Sequence, residues 1–205
     1  MSQAVLDSLC SILRASAGDV RAAYRVGSRV YGTAKPTSDD DFVVIMTRPG
    51  QKQDLAFAHG INIVIHGPVT FQTALDDQSV FALECFFASP EATLMAPRPP
   101  FKYTLDRRKL SVSATEKSKA DWQKAKKRFV DEPGPSRKKV FHALRVPAFA
   151  LQIAKTGKLA DFTCANAWHA DIQRGPNDDF SWYEDRFGTV REEMCTELVQ
   201  LAGKK

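Results

Sequence analysis

The sequence predicts an α+β fold: a small mixed β-sheet with flanking helices in residues 1–100, followed by a helical half in residues 101–205. Three observations predict it. Short apolar runs bounded by turn residues fill the first hundred positions, whereas apolar residues at helical spacing dominate the second. Between the two halves lies a proline cluster that leaves little room for regular structure and marks a domain boundary: Pro90, Pro97, Pro99 and Pro100.

The first half contains the candidate strands. Residues 2–13 place apolar side chains at a helical period and predict a first helix. Four apolar segments predict strands. The last two flank the turn residues His59-Gly60 and are expected to form a hairpin, whose second strand is nearly continuous in Ile and Val. The strand segments are 22–26, 42–46, 54–57 and 61–65.

The remaining segments predict helices. Pro68 opens a helix through Leu75, and residues 80–87 are apolar on all sides, which is typical of a buried helix. In the second half, residues 131–135 contain two prolines and a glycine and are expected to separate two long helices. The helices of this half are 113–129, 136–156 with a kink at Pro147, 161–173 and 182–201.

Composition limits the class of protein. The chain has 205 residues, 43% of them hydrophobic and 26% charged, as in a soluble globular protein. Its four cysteines form no CxxC pair and no cluster with histidine, so we expect reduced, buried thiols rather than a zinc site or a disulfide framework. No stretch approaches the length of a membrane span, which favours a cytoplasmic location. The net charge of +5 suggests a polyanionic partner or a phosphate-rich substrate.

One segment between two predicted strands combines the residues of a phosphate and metal site. If a helix begins near Ser28, its free amides face an anion, and Gly27 lets a ligand approach the backbone closely. Asp39 and Asp41 stand two apart at the start of a strand, so both carboxylates point to one face and can bind the same hard cation. The segment reads Gly27-Ser28-x3-Gly32-x5-Ser38-Asp39-x-Asp41.

This segment resembles the signature of the DNA polymerase β superfamily of nucleotidyltransferases, particularly its minimal members. The resemblance implies that Asp39 and Asp41 bind the catalytic Mg²⁺, with Mn²⁺ as an alternative. It also implies that Gly27 and Ser28, with Ser38 beside them, hold the phosphates of an NTP such as ATP. The expected reaction transfers an NMP to an acceptor hydroxyl and releases pyrophosphate.

The superfamily normally supplies a third carboxylate from a later strand, and here that strand offers Asn62. An amide is a poorer magnesium ligand than a carboxylate and cannot act as a general base. Glu84 is a candidate for the missing catalytic acid, because a lone carboxylate in an apolar helix is costly unless it is paired or bound. The alternative for Glu84 is a buried salt bridge or a helix-end hydrogen bond to the basic second half. The segment 69–89 also resembles uncharacterised bacterial and phage nucleotidyltransferases.

A second candidate group lies on one stripe of the helix that begins near residue 136. Lys138, His142 and Arg145 are four and three residues apart, so they can reach a single anion such as a triphosphate together. Lys139 could replace Lys138. The alternative is an ordinary solvated basic face. The same Lys-x3-His-x2-Arg pattern resembles one in the second half of the bacterial and phage proteins, and the helical half is expected to close over the nucleotide.

The acceptor remains open at this stage. The lysine-rich run 117–139, with Trp122 and Phe129 interleaved, could follow a nucleic-acid backbone and stack a base, although such aromatic residues more often pack on the core. An RNA end is slightly favoured over a protein hydroxyl or a small molecule. The competing hypotheses are a degenerate fold that binds a nucleotide or RNA without catalysis, suggested by Asn62, and a purely helical adaptor.

Overall fold

The computed structural model describes residues 2–48, 54–58 and 60–203. The chain forms two compact units. The first comprises Met1–Asp77 with Phe81–Thr104, and the second comprises Gln78–Val80 with Leu105–Lys205. The first contains a mixed β-sheet and the second is built from helices, so the predicted α+β class is confirmed. None of the helices that the structure describes is long and apolar enough to cross a lipid bilayer.

In the described residues of the first unit, the sheet has five strands in the spatial order β3-β4-β2-β1-β5. Strand β2 is parallel to β4, and the other neighbouring pairs are antiparallel. The last five residues of β2 are apolar and buried, as expected for a strand covered on both faces. The strands are β1 (Val20–Val26), β2 (Asp40–Met46), β3 (Asp54–Ala58), β4 (Ile61–His66) and β5 (Thr93–Met95).

The proline-rich segment contains a strand that the sequence did not predict. Strand β5 pairs antiparallel with β1 at the edge of the sheet. Pro90 and Pro97 flank it without interrupting it, and the six residues between them are enough for a three-residue edge strand. The expectation that the proline cluster excludes regular structure was therefore wrong for residues 93–95.

Helices cover the sheet as the predicted periodicity requires. Helix α1 (Ser2–Leu13) packs Leu6 and Leu9 against Phe42 and other core residues of the sheet. A single turn, α2 (Ser28–Tyr31), follows β1. The predicted β3–β4 hairpin is present, and its His59 lies outside the described residues. Helices α3 (Pro68–Asp76) and α4 (Val80–Phe86) match the predicted segments to within a residue.

The helical unit encloses its own apolar core. The core is formed mainly by aromatic and branched side chains, including Trp122, Phe129, Leu144, Ile172 and Tyr183. Arg137 of helix 133–156 connects this helix to the segments around residues 175 and 183. Its guanidinium donates to the Tyr183 hydroxyl and to the carbonyl of Gly175. The elements are α5 (Arg107–Arg128), α6 (Pro133–Thr156), α7 (Asn166–Arg174), α8 (Ser181–Tyr183), a π-helical turn (Glu184–Gly188) and α9 (Thr189–Ala202).

Local side-chain contacts move three predicted helix boundaries. Helix α5 begins six residues earlier than predicted, because the Asp106 carboxylate accepts from the amides of Arg108 and Lys109 as an N-cap. Helix α6 starts at Pro133, inside the predicted break, since proline is well suited to the first turn of a helix. Helix α7 starts five residues late because Asp161 closes a turn onto the amide of Thr163.

A substitution at Gly175 tests how closely this residue packs against Tyr183 in the helical unit. A Cβ atom at this position would lie 2.4 Å from the hydroxyl oxygen of Tyr183, whose side chain is fully buried. We expect Gly175→Ala to lower the free energy of unfolding by about 1–3 kcal/mol through overpacking. Urea unfolding followed by tryptophan fluorescence measures it, because all three tryptophans lie in this unit.

The matched control is Gly134→Ala, in the first turn of α6, where a Cβ atom has no neighbour within 4 Å. This change is expected to leave stability unchanged or to raise it by up to about 1 kcal/mol. Equal free energies of unfolding for the two variants would contradict the packing described here.

Candidate active site

Gly27 lies at the turn between β1 and α2. Its φ angle is +80°, in the region that favours glycine, and its carbonyl accepts from the amides of Val30 and Tyr31. A Cβ atom here would lie 2.2 Å from Oδ2 of Asp41 and 2.9 Å from its Cβ. The carboxylate of Asp41 therefore occupies the space where a side chain at position 27 would be, and only glycine fits.

Asp41 is held from its other side by Asn62. The two residues are register partners on the parallel strands β2 and β4, and the side-chain amide of Asn62 donates to Oδ1 of Asp41 over 2.9 Å. Asn62 thus stands beside the aspartate motif, where the sequence comparison with the polymerase β superfamily led us to expect an acid. It fixes the orientation of the Asp41 carboxylate without adding a second negative charge.

The three consecutive aspartates have different surroundings. Asp40 forms ion pairs with Arg29 at 2.8 Å and with Arg25 at 3.6 Å. Asp39 is exposed just before β2, and its Oδ1 lies 3.6 Å from the position of a Cβ atom at Gly60. Within the part of the chain that the structure describes, neither Asp39 nor Asp41 forms an ion pair. Two of the three carboxylates are therefore left for a cation.

Glu84 contacts the motif through a tyrosine. The hydroxyl of Tyr31, the last residue of α2, donates to the buried carboxylate of Glu84 on α4. Among residues 2–48, 54–58 and 60–203, no group of three or more His, Cys, Asp or Glu side chains is arranged to hold a metal ion. The structure therefore gives Glu84 a contact that anchors α2. Sequence reasoning missed Tyr31, although it lies within the motif.

The two serines of the motif have different positions. Ser38 closes the loop before β2: its hydroxyl accepts from the amide of Lys35, and its carbonyl accepts from the Arg29 guanidinium. Ser28 is the first residue of α2 and is half-buried beside Gly27. Of the two, Ser28 is adjacent to Gly27, the residue that packs against Asp41, whereas the hydroxyl of Ser38 already accepts a hydrogen bond.

The predicted anion-binding stripe lies on α6 in the helical unit. Arg145 is only 3% exposed, stacks over the Phe149 ring and contacts Nδ1 of His142 at 3.1 Å. Lys138 is exposed, in contrast. Burial, together with the neighbouring charge of Arg145, lowers the pKa of His142 to about 3, so the imidazole is neutral.

Asp121 of α5 is the residue of this cluster that sequence reasoning missed. Its buried carboxylate pairs with Lys117 at 2.7 Å and with Lys139 at 3.0 Å. Burial opposes its ionisation, but the hydrogen bonds from the two lysines prevail and lower its pKa. The i, i+4 spacing of Lys117 and Asp121 is the signal that could have indicated the pair. Lys139, rather than Lys138, is the lysine tied to this cluster.

The aromatic residues among the lysines belong to the core. Trp122 is 8% exposed and Phe129 is 1% exposed, which leaves neither ring face open to stack a base. The described residues also line two surface grooves. One, of about 630 Å³, is lined by residues including Arg21, Thr47 and Arg98. The other, of about 490 Å³, lies between α5 and α9 and includes an edge of Trp122 in its lining. Neither groove includes the motif residues.

Comparison with known proteins gives little direct help. No family model and no curated protein matches this chain. Among solved structures, the chain is similar to a nucleotidyltransferase-like protein from Exiguobacterium sibiricum 255-15. The sequence identity is 15%, the match covers 99% of this chain and 77% of that one, and the TM-score is 0.39. A TM-score this low supports no conclusion about function, so the function has to be argued from the site itself.

A pair of glycine variants tests the contact between Gly27 and Asp41. Gly27→Ala is expected to displace the Asp41 carboxylate and to weaken binding of Mn²⁺ by about ten-fold, as changes that misorient a metal ligand do. Gly60 has a similar φ of +74°, but a Cβ atom there would meet Asp39 only at 3.6 Å. Gly60→Ala should therefore cost about 1 kcal/mol of backbone strain with little change in metal affinity. Equal Mn²⁺ affinities, measured by titration, would contradict the contact.

The neutral His142 makes the helical unit sensitive to acid. Below the ordinary pKa of 6.5 the unfolded chain binds a proton at this position and the folded chain does not until about pH 3. The contribution of His142 to the free energy of unfolding is therefore fully present above pH 6.5. It is lost as the pH is lowered, by about 2 kcal/mol between pH 6.5 and pH 5. Urea unfolding at pH 7 and pH 5 should show a clearly smaller loss for His142→Gln, and identical losses would refute a neutral imidazole at this half-buried position.

Proposed function

We propose that this chain is a metal-dependent nucleotidyltransferase that moves an NMP from an NTP to an acceptor hydroxyl. The observation that supports it best is the placement of the Asp41 carboxylate between Gly27 and Asn62. This geometry requires a glycine at position 27, an aspartate at position 41 and the strand pairing between them. A simple turn followed by a capped strand has no need of all three.

The donor set suits a magnesium ion. Mg²⁺ is commonly bound in enzymes by one or two carboxylates, with water and substrate phosphate as the other ligands. Asp39 and Asp41 offer two carboxylates free of ion pairs in the described chain, and Asp40 is occupied by two arginines. Asp39 and Asp41 are thus the residues that would hold the ion. When bound, it would supply neutralisation of the triphosphate charge and easier ionisation of the attacking hydroxyl.

The reaction breaks one bond of the NTP and forms one bond to the acceptor. The acceptor oxygen bonds to the α-phosphorus, the bond from that phosphorus to the bridging oxygen breaks, and pyrophosphate leaves with the electron pair. The hydroxyl proton is lost to a base. Gly27 leaves room for the Asp41 carboxylate, and Ser28, the next residue, offers a hydroxyl to the triphosphate. Asn62 and the Tyr31–Glu84 pair position these groups.

The helical unit would contribute cations to nucleotide binding. Of the three predicted phosphate-binding residues on α6, Lys138 is both charged and exposed to solvent. His142 is neutral, and Arg145 is charged but buried. We propose that Lys138 contacts the nucleotide directly, while His142 and Arg145 support the helix that carries it.

One observation favours a second candidate function. The amide of Asn62 stands beside Asp41, where an acid would complete a three-carboxylate centre. A site with two carboxylates can bind a metal–nucleotide complex and still be too weakly charged for two-metal chemistry. A protein of the same fold that binds a nucleotide or RNA without catalysis is therefore the alternative.

Labelled nucleotides distinguish the two. The purified protein is incubated with Mg²⁺ and each α-labelled NTP, alone and with total RNA or cell lysate. We expect label to appear on an acceptor, and Asp39→Ala/Asp41→Ala to reduce this transfer at least about 10³-fold, since removing charge stabilisation at the reacting phosphate commonly costs that much.

Asp40→Asn is the matched control, because it changes the neighbouring aspartate that is paired with Arg25 and Arg29. It should retain transfer within about ten-fold of the unmodified protein. NTP binding without transfer in the unmodified protein would support the non-catalytic alternative, and equal losses in both variants would contradict the assignment of the metal ligands.

A further inference from the structure

The positive charge of the chain is concentrated in the helical unit. The first unit contains 9 Lys/Arg and 10 Asp/Glu, for a net charge of −1, and the helical unit contains 20 and 14, for a net charge of +6. Helix α5 alone contains nine Lys/Arg and two Asp/Glu. The excess charge of the protein therefore has a single main source, the 22-residue helix α5.

Helix α5 separates its charges from its apolar face. The buried face includes Leu110, Ala114, Trp122 and Ala125, which pack inside the helical unit. All nine basic side chains of the helix are exposed. We call the exposed side of α5 the basic face. It presents cations to solvent near both ends of the helix, at residues 107–109 and 117–128.

Ion pairs neutralise only part of the basic face. Lys117 pairs with Asp121, Lys126 with Glu184, and Arg128 with Glu132, all within 4 Å. Arg107 donates to the carbonyl of Ala154. In the described part of the chain, four cationic side chains of this face form neither an ion pair nor a hydrogen bond: Arg108, Lys119, Lys124 and Lys127.

The spacing of the four free cations fits an extended polyanion. Arg108 and Lys127 are about 28 Å apart along the helix at 1.5 Å per residue. Together the four lie within about 160° of arc at 100° per residue, so one elongated ligand can reach them. A single triphosphate is too short to span this distance. A polynucleotide offers a phosphate every few ångströms along such a length.

We propose that the basic face of α5 binds a polynucleotide through its phosphates and, resting on the proposed nucleotidyl transfer, that this polynucleotide is the acceptor. The buried rings of Trp122 and Phe129 cannot stack on its bases, so binding is independent of sequence. Its affinity should fall steeply as salt is added, because phosphate contacts release counterions.

The test uses the full chain and a fluorescein-labelled RNA of about 20 nucleotides, with fluorescence anisotropy measured over a range of salt concentrations. The variant Arg108→Gln/Lys119→Gln/Lys127→Gln removes three of the free cations. We expect its affinity to fall at least about ten-fold at low salt, and the slope of log K against log salt to become shallower by about 2.

The matched control removes one arginine and two lysines that are exposed elsewhere: Arg98→Gln/Lys102→Gln/Lys158→Gln. It has the same net charge as the test variant and should bind RNA almost as the unmodified protein does. Equal losses in the two variants would overturn the proposal, since only total charge would then matter. A DNA strand of the same length shows whether the 2′-hydroxyl contributes.

Failure of this proposal can be told apart from failure of the proposed function. The Asp39→Ala/Asp41→Ala variant should bind RNA normally, because the basic face is in the other unit. RNA binding through the basic face without any transfer would uphold this surface and refute catalysis. Transfer to a protein or small molecule with no RNA or DNA binding would refute the surface alone, as would binding only to anionic lipid vesicles.

Discussion

The close packing of the Asp41 carboxylate against Gly27 is the constraint on which the site depends. It joins the last residues of β1 to the first residues of β2 at one end of these central strands. The parallel pairing of β2 with β4 brings Asn62 to the same end, where its amide donates to the other oxygen of Asp41. Tyr31 and Glu84 then tie the turn after Gly27 to a neighbouring helix. Each of these contacts fixes the backbone or side chain of a motif residue, so the site is ordered by the fold itself.

Two arginines offset part of the negative charge of the three aspartates at the site. Three consecutive aspartates would repel one another, and the ion pairs of Asp40 with Arg25 and Arg29 reduce that repulsion while leaving Asp39 and Asp41 for a ligand. Asn62 adds a hydrogen bond to Asp41 without adding a charge. The helical unit has the opposite character. It buries Asp121 between two lysines and exposes an excess of cations on α5.

The sequence predicted what depends on local pattern. Helix α1, the strands around the motif, the β3–β4 hairpin and the α+β class follow from periodicity and turn residues. The short strand β5 escaped prediction because its pairing with β1 is a contact between distant segments. The Tyr31–Glu84 bond and the two lysines around Asp121 escaped for the same reason, since buried polar partners are chosen by tertiary packing. The sequence correctly indicated that Glu84 is a buried acid that needs a partner. The apolar residues around Glu84 do not indicate that this partner is Tyr31.

The most direct test of the account is a count of bound metal ions. Mn²⁺ is titrated into the protein, followed by electron paramagnetic resonance, in the presence of an NTP analogue that cannot be cleaved. With two carboxylates and an amide at the site, we expect one tightly bound Mn²⁺ per chain, lost in Asp39→Ala/Asp41→Ala and retained in Asp40→Asn. Binding that persists without Asp39 and Asp41, or that is lost in Asp40→Asn alone, would contradict the central claim that these two carboxylates form a metal–nucleotide site.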